Sequence, residues 1–342
     1  MKVCVTAQHR GMLDQVLSVF QVLPDFDLDL MQPGQSLSQI TGRMMLALEP
    51  VFDSVKPDFV VVQGDTTTTL CGALAGFYKN VPIAHVEAGL RTGDLQQPFP
   101  EELNRVLTGR MAALHFAATE GAAQNLRREG IQQDSIFVTG NSGIDAVLQI
   151  QARLERQPLP VPSYLLPDKK LVLVTAHRRE SFGAGFEGIC EGIRRIALEQ
   201  DVQVVYPVHR NPNVTGPVER LLSHLPRVTL ISPLDYIPFV DLMRRATLLL
   251  TDSGGVQEEG PSLGKPILVM REQTERPEAV EAGTVRLVGT DPDRIEAEAL
   301  KLLRDPSERE RMSRVHNPYG DGHASERIAR VIHSFHKEKT LH

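Results

Sequence analysis

Short runs of β-branched residues alternate with amphipathic stretches along nearly the whole chain of 342 residues. Two such runs are Asp58–Gln63 and Val81–Val86, and the helical pattern of Thr67–Tyr78 lies between them. Strands that alternate with helices in this way form a parallel sheet with helices on both of its faces. The run Phe59–Val62 is apolar throughout, which predicts a strand buried on both sides. We therefore predict an α/β fold.

The alternation breaks once, in a proline-rich segment. Residues 149–170 contain four prolines, whose fixed φ and missing amide hydrogen disfavour regular structure. We interpret this segment as a linker between two Rossmann-like domains, residues 1–148 and residues 171–322. A last helix, about residues 323–342, is expected to join the first domain. Ligands of open parallel sheets bind beyond the carboxyl ends of the strands, so chemistry is expected there, in an inter-domain cleft.

Composition argues against several classes of protein. The formal net charge is −6 with both signs interspersed, whereas a nucleic-acid surface needs a basic excess. Cys4, Cys71 and Cys190 are widely spaced, which is typical of reduced thiols, and no Cys/His cluster has the spacing of metal ligands. No apolar run approaches the ~18 residues that cross a bilayer. We expect a cytoplasmic protein without a metal, membrane or nucleic-acid partner.

Three acidic residues of the first half occupy positions where chemistry is expected. Asp65 follows a predicted strand, in the sequence Gly-Asp-Thr-Thr-Thr-Thr. Glu87 ends the next strand, and Glu101 begins a helix one turn before Arg105. Together these carboxylates predict a functional cluster at the edge of the cleft.

Each of these residues also has a purely structural interpretation. Asp65 could cap the helix that follows it. Glu87 could form a surface ion pair with Arg91. Glu101 and Arg105 could be an ordinary pair that stabilises their helix. The occurrence of all three acids at strand ends or a helix start favours the functional interpretation.

Basic residues follow the first strand of the second half. His177 and Arg178 lie at this strand end and suit a phosphate or a departing diphosphate, although a surface cluster is the alternative. The segment Gly183–Gly188 matches the GxGxxG pattern. We discount it as a dinucleotide fingerprint because the mostly polar residues 176–182 separate it from the strand, whereas the true motif forms the turn itself.

The stretch Asp-Ser-Gly-Gly at residues 252–255 ends one strand and begins a helix. Gly254 and Gly255 let a phosphate approach bare amides at the helix N-terminus, after Ser253. Glu259 lies further along this helix, where a carboxylate can accept two hydrogen bonds from a ribose diol. A tight turn alone would explain the glycines but not Ser253 together with Glu259.

Long motifs in this order resemble those of the bacterial non-hydrolysing UDP-N-acetylglucosamine 2-epimerases. The matching sequences are GDTTTTL at 64–70, HVEAGLRTGD at 85–94, PEELNR at 100–105, HRRESFG at 177–183, YPVHRNPNV at 206–214, DSGGVQEEGPSLGKP at 252–266, TERPEAVEAGT at 274–284 and NPYGDG at 317–322. The resemblance implies the GT-B architecture of two Rossmann-like domains. It also implies isomerase activity on UDP-GlcNAc, which gives UDP-ManNAc for polysaccharide biosynthesis without a metal or cofactor, and a homodimer.

The resemblance carries roles over to individual positions. The implied catalytic residues are Asp65, Glu87, Glu101, Arg105 and His177. The implied UDP contacts are Ser253, Gly254, Gly255, Glu259, Phe239 near the uracil, and Arg178. An implied second site for UDP-GlcNAc, which would activate the enzyme, contains Gln8, His9, Arg178 and His209. Gly11 and Gly34 depart from the polar residues that some members have there.

One departure concerns the start of the chain. Members of the family begin with a further strand and a G-T-R-P-E-A-I-K loop, and no Gly-Thr-Arg-Pro occurs in this sequence. We therefore expect that the family's N-terminal strand and loop are lacking, which would leave two strands without a shared neighbour.

Other functions remain as alternatives. A GT-B glycosyltransferase would share the nucleotide site but would need an acceptor. A hydrolysing relative would release free ManNAc. A protein that binds UDP-sugar without turnover is a third alternative, suggested by the apparent N-terminal departure. A nicotinamide oxidoreductase is the least supported, because its glycine motif is misplaced.

Overall fold

The computed structural model describes residues 1–7, 10–32 and 34–340, without the side chains of Met12, Glu338, Lys339 and Thr340. The chain divides into two compact units. Unit 1 comprises Met1–Ser142 together with the C-terminal segment that begins at Gly322, and unit 2 comprises Gly143–Asp321.

Strands and helices alternate through both units. The strands are β1 (Cys4–Val5), β2 (Phe26–Asp27), β3 (Val60–Gln63), β4 (Ile83–Ala88), β5 (Leu114–Ala117), β6 (Ile136–Val138), β7 (Lys170–Thr175), β8 (Val202–Pro207), β9 (Val228–Ile231), β10 (Leu248–Thr251), β11 (Ile267–Val269) and β12 (Val285–Leu287). The helices are α1 (Arg10–Val19), α2 (Leu37–Val55), α3 (Thr67–Tyr78), α4 (Glu101–Met111), α5 (Glu120–Arg128), α6 (Ser142–Arg156), α7 (Ala184–Ile196), α8 (Pro212–Leu222), α9 (Tyr236–Arg245), α10 (Gly254–Ser262), α11 (Pro277–Ala282), α12 (Pro292–Arg304), α13 (Pro306–Ser313) and α14 (Ala324–Thr340).

Unit 1 contains two parallel sheets among its described residues. One is the pair β1–β2, and the other has the order β3-β4-β5-β6. Helix α14 packs on the larger sheet, where the rings of Phe335 and Phe59 meet edge to face at 5.3 Å. The prediction that Phe59–Val62 is buried on both sides is wrong, because β3 is an edge strand of its sheet and Val61 is 54% exposed.

Unit 2 contains one six-stranded parallel sheet with the order β12-β11-β10-β7-β8-β9. Strands β7, β8 and β10 are buried on both faces, as their continuous apolar sequences predict. The hydroxyl of the buried Tyr206 donates to the Ala176 carbonyl at 2.6 Å and so satisfies a polar group inside the core. Strands β7 and β10 are neighbours, with Thr175 opposite Thr251, so the segments that follow them lie side by side.

The structure explains two features of the sequence, the proline-rich segment and the GxGxxG pattern. The predicted linker at residues 149–170 is wrong in its first part, because α6 continues through it to Arg156 and the prolines act only beyond that point. The GxGxxG segment is explained by packing: a Cβ on Gly188 would collide with the Thr290 carbonyl, so this glycine lets α7 approach the loop before α12. In the described part of the chain, no helix is both long and apolar enough to cross a membrane.

Candidate active site

The predicted acidic residues of unit 1 lie at the carboxyl ends of β3 and β4. Gly64 turns the chain with a φ of +73°, its amide donates to the Val86 carbonyl at 3.0 Å, and Asp65 follows. Glu87 has a φ of +62° at an irregularity in the pairing of β4. A Cβ built on Gly64 would lie 3.6 Å from Oε2 of Glu87. The structure therefore places the Glu87 carboxylate beside the turn that carries Asp65.

Arg105 links two carboxylates. Its Nη2 lies 2.7 Å from Oδ2 of Asp65, and its Nη1 lies 3.3 Å from Oε2 of Glu102. Glu102 is buried and also accepts hydrogen bonds at 3.1 Å from the amides of Thr92 and Gly93. The Arg105 guanidinium is itself almost fully buried. It therefore fixes the orientation of the more exposed Asp65 carboxylate from inside the protein.

Glu101 begins α4 and is half-buried. The structural interpretation of Glu101 and Arg105 as an ion pair is not supported, because the guanidinium turns to Asp65 instead. The first turn of α4 nevertheless packs beside the Asp65 turn, since the side-chain amide of Asn104 donates from Nδ2 to the Asp65 carbonyl at 2.8 Å. The sequence did not indicate the role of Glu102, the neighbour of Glu101, because nothing in the pattern showed which of the two glutamates points inward.

The structural interpretation of Glu87 as the ion-pair partner of Arg91 is not supported. Arg91 instead forms a bidentate pair with Glu129, with distances of 2.6 Å and 2.9 Å from Nε and Nη2. This pairing connects the segment after β4 to the residue that follows α5.

In unit 2, His177 and Arg178 follow β7, and Asp252 follows the neighbouring strand β10. Oδ2 of Asp252 accepts hydrogen bonds from the amides of His177 at 2.6 Å and Arg178 at 2.7 Å. The imidazole of His177 stacks on His209, with ring centroids 5.4 Å apart. Burial lowers the pKa of His177, and the negative charge of Asp252 opposes this shift.

The N-terminus of α10 has no side-chain capping hydrogen bond. Ser253 occupies the N-cap position, yet its hydroxyl makes no capping hydrogen bond. A Cβ on Gly254 would lie 2.6 Å from Nη1 of Arg276, whereas one on Gly255 would meet nothing closer than 3.9 Å. Gly254 therefore admits an arginine, and Gly255 leaves the helix start open. Such a terminus can bind an anion through its free amides and dipole.

Arg276 is a further residue of this site, which the sequence did not indicate. Its guanidinium forms ion pairs with Glu258 and Glu275 and lies against Gly254. Arg178 approaches the same Glu275, at 3.7 Å. The only signal was the Thr-Glu-Arg-Pro-Glu motif, whose spatial neighbours a sequence does not reveal.

Glu259 lies on the half-buried side of α10. Burial and the neighbouring Glu258 raise its pKa to about 7, and a hydrogen bond from the Tyr236 hydroxyl partly opposes this rise. Phe239 lies on α9 three residues after Tyr236, on the same face of that helix. The placement of Glu259 suits a carboxylate that accepts hydrogen bonds from a ligand.

Two residues of the predicted second site, Gln8 and His9, lie outside the described residues. The other two, Arg178 and His209, both adjoin His177. Within residues 1–7, 10–32 and 34–340, no group of three or more His, Cys, Asp or Glu side chains could hold a metal ion.

Two Rossmann-like units of parallel sheet, with polar side chains at the strand ends of both, define the GT-B class of α/β enzymes. A family model described as UDP-N-acetylglucosamine 2-epimerase matches residues 1–333. The chain belongs to this family.

Individual relatives agree with this assignment. The UDP-N-acetylglucosamine 2-epimerase of Salmonella typhimurium is 58% identical over 341 residues, which cover 98% of this chain and 91% of the relative. A crystal structure of UDP-GlcNAc 2-epimerase from Neisseria meningitidis bound to UDP-GlcNAc has a TM-score of 0.90 and 46% identity, covering 97% of this chain and 91% of that one. The S. aureus MnaA–UDP co-structure has a TM-score of 0.86 and 44% identity, covering 98% and 88%.

These comparisons bear on two earlier expectations. The expectation that the chain lacks the family's N-terminal strand and G-T-R-P-E loop is not confirmed, because the family model matches from residue 1 and the Salmonella alignment includes 98% of the chain. The glycosyltransferase and the inactive binding protein are not favoured, since the relatives from Salmonella typhimurium and Neisseria meningitidis are UDP-N-acetylglucosamine 2-epimerases.

Proposed function

We propose that this enzyme interconverts UDP-GlcNAc and UDP-ManNAc by inverting C2 of the sugar. The observation that carries the proposal is the cluster at the strand ends of unit 1, where Arg105 holds Asp65 at 2.7 Å beside the carboxylate of Glu87. The relatives named above support the choice of substrate, because one of them was crystallised with UDP-GlcNAc and another with UDP.

The chemistry of the substrate explains why several carboxylates are needed. C2 is not acidic, because no carbonyl is adjacent to it. Elimination of UDP from C1 with loss of the C2 proton gives 2-acetamidoglucal, and re-addition of UDP after protonation from the opposite face gives the epimer. Each face of C2 needs its own proton-transfer group. Asp65, Glu87 and Glu101 are the candidates for these two roles.

The groups of unit 2 would bind the nucleotide and the leaving diphosphate. We assign the diphosphate to the start of α10, at the Ser253 hydroxyl and the amides of Gly254 and Gly255, with His177 and Arg178 stabilising the charge that develops as UDP departs. The Ser253 hydroxyl supports this assignment, because it makes no capping bond that a ligand would have to break.

The nucleoside would be bound by two further residues of unit 2. Glu259 would accept hydrogen bonds from the ribose diol, and its half-buried position gives those bonds strength. Phe239 would pack against the uracil ring. Its position on the same face of α9 as Tyr236, which hydrogen-bonds Glu259, supports this pairing of ribose and base contacts.

We also propose a second UDP-GlcNAc site and a homodimer, on the strength of the family resemblance. The stacking of His209 on His177 supports the second site, since a ligand that moves one ring moves the other. Turnover that rises sigmoidally with UDP-GlcNAc and becomes hyperbolic in His209→Asn is the expected result. Light scattering should give twice the chain mass of 37.9 kDa.

The activity is tested by incubating the protein with UDP-GlcNAc alone and following the anomeric and phosphorus NMR signals. The proposal predicts that UDP-ManNAc appears without any acceptor and that the nucleotide sugar reaches a stable mixture. Release of free ManNAc would identify a hydrolysing enzyme. Dependence on an acceptor would identify a glycosyltransferase, and binding in a calorimeter without turnover would identify a binding protein.

A further inference from the structure

A fully buried carboxylate lies directly behind His177. Asp252 is 0% exposed at the end of β10, and one of its oxygens, Oδ2, accepts the two short amide bonds from residues 177 and 178. These bonds to a charged acceptor are stronger than neutral ones and hold the segment after β7 against β10. Asp252 therefore fixes the backbone that carries the histidine.

The other oxygen of this carboxylate is unused in the described part of the chain. Oδ1 of Asp252 is inaccessible to solvent and has no hydrogen-bond partner there. The nearest basic atom is Nδ1 of His177, at 3.6 Å, which is too long for a hydrogen bond. A buried oxygen without a partner has lost its hydration and gained no hydrogen bond in return, so such a group calls for an explanation.

Of the charged groups that change the pKa of His177, Asp252 is the one that favours protonation of the ring. His209 stacks on the imidazole from the segment after β8, and Arg178 follows it on the chain. Both lower the pKa of His177, as burial does more strongly, whereas Asp252 raises it. The carboxylate is therefore the group that can favour a protonated Nδ1.

We propose that Asp252 is the positioning residue of His177: a small rotation of the imidazole brings Nδ1–H onto Oδ1 and directs Nε2 towards the diphosphate. The inference rests on the role proposed above for His177. With Nδ1–H donated to Asp252, the protonated ring offers Nε2–H to a phosphate oxygen as UDP leaves. His177 thereby stabilises the leaving group through a hydrogen bond, and no covalent bond at the ring is made or broken.

The tautomer of His177 provides the test. Protein labelled with ¹⁵N-histidine is compared with and without UDP, and His177→Gln assigns the signals. The proposal predicts that His177 in the UDP complex carries a proton on Nδ1, in the neutral ring as well as in the imidazolium. A neutral ring in the wild-type complex with its single proton on Nε2 overturns the proposal, and this measurement needs no change to Asp252.

The variant Asp252→Asn sharpens the test. Its single carboxamide oxygen can still accept the two backbone bonds, but its NH₂ group would face Nδ1 and force the proton onto Nε2. We expect the tautomer to switch and kcat to fall by at least tenfold, with the acidic limb of the pH profile displaced. A folded Asp252→Asn with the wild-type tautomer and pH profile contradicts the proposal.

A matched control is available in the same unit. Asp241 is also a buried carboxylate, but it pairs with Arg244 and Arg245 on its own helix. Asp241→Asn should lower the melting temperature without altering the His177 tautomer. If the wild-type protein shows no epimerisation but has the predicted tautomer, the proposed function fails while the positioning role of Asp252 stands.

Discussion

Both units place a carboxylate just after the carboxyl end of a strand, but the two carboxylates differ in exposure and in what holds them. In unit 1, Asp65 keeps 27% of its side chain exposed and is held by the guanidinium of Arg105. In unit 2, Asp252 is completely buried and is held by backbone amides. A carboxylate oriented by a side chain remains accessible for proton transfer. A buried carboxylate that accepts hydrogen bonds from backbone amides instead orients the backbone and neighbouring side chains. A carboxylate at a strand end is thus predicted to be functional, and its exposure determines whether it can transfer a proton or positions other groups.

The histidines of the two units also differ in exposure, but in the opposite direction: the histidine of unit 1 is buried and that of unit 2 is exposed. His85 of unit 1 is buried and donates from Nε2 to the Gly64 carbonyl at 2.8 Å, and burial lowers its pKa to about 4. It is a neutral scaffold residue that holds the turn before Asp65. His177 of unit 2 keeps 42% of its side chain exposed. In unit 1, a buried histidine therefore supports a more exposed acid. In unit 2, a buried acid supports a more exposed histidine.

The largest effect that can test this contrast is on stability. Replacing Arg105 by Gln leaves the buried Glu102 without its cationic partner, so we expect a loss of about 3–5 kcal/mol in the free energy of unfolding. Urea unfolding measures it. Arg330→Gln, which breaks the exposed pair with Glu326, should cost less than about 1 kcal/mol. Equal losses in the two variants would mean that Arg105 is not a structural centre of unit 1.

The next effect is on turnover. Asp65→Asn keeps the size and polarity of the side chain but removes the proton-transfer group, so kcat should fall about 100-fold or more. Affinity for UDP, measured by calorimetry, should stay near the wild-type value because the nucleotide contacts are assigned to unit 2. Asp53→Asn is the control, since Asp53 pairs only with the surface residue Lys79 among the described charges. Near-normal turnover in Asp65→Asn would remove Asp65 from the proposed mechanism.

The smallest effect concerns the pH dependence of binding. Because the pKa of Glu259 is about 7, the carboxyl is largely protonated at pH 6 and ionised at pH 8.5. Only the ionised form accepts two hydrogen bonds from a ribose, so affinity for UDP-GlcNAc should rise about tenfold between these values. Titration calorimetry on the Asp65→Asn background avoids turnover. Glu259→Gln should bind weakly at both values, and an unchanged pH dependence in it would exclude Glu259 as the titrating contact.

The sequence predicted the positions of the strand ends well, because local patterns set them. Asp65 and Glu87 lie beside one turn as the βαβ alternation implied. The sequence could not predict which strands lie at a sheet edge, since that depends on pairing between distant segments. For this reason the exposure of Val61 was missed.

The sequence also did not predict which charged groups form ion pairs. A pattern shows that Glu101 and Arg105 share a helix face, but the closer Asp65 from another element takes the guanidinium. The same limit hid Arg276 behind Gly254, a glycine that looked like a phosphate contact alone. Ion pairs are decided by tertiary distances, which a sequence does not contain.

The central claim is that the acids of unit 1 exchange the C2 proton while UDP is detached. It is tested most directly by running the reaction from UDP-GlcNAc in D₂O and reading C2 of the product by NMR and mass spectrometry. The account predicts one deuterium at C2 of UDP-ManNAc, together with free UDP and 2-acetamidoglucal during turnover. UDP-ManNAc formed with the original hydrogen at C2 would contradict it.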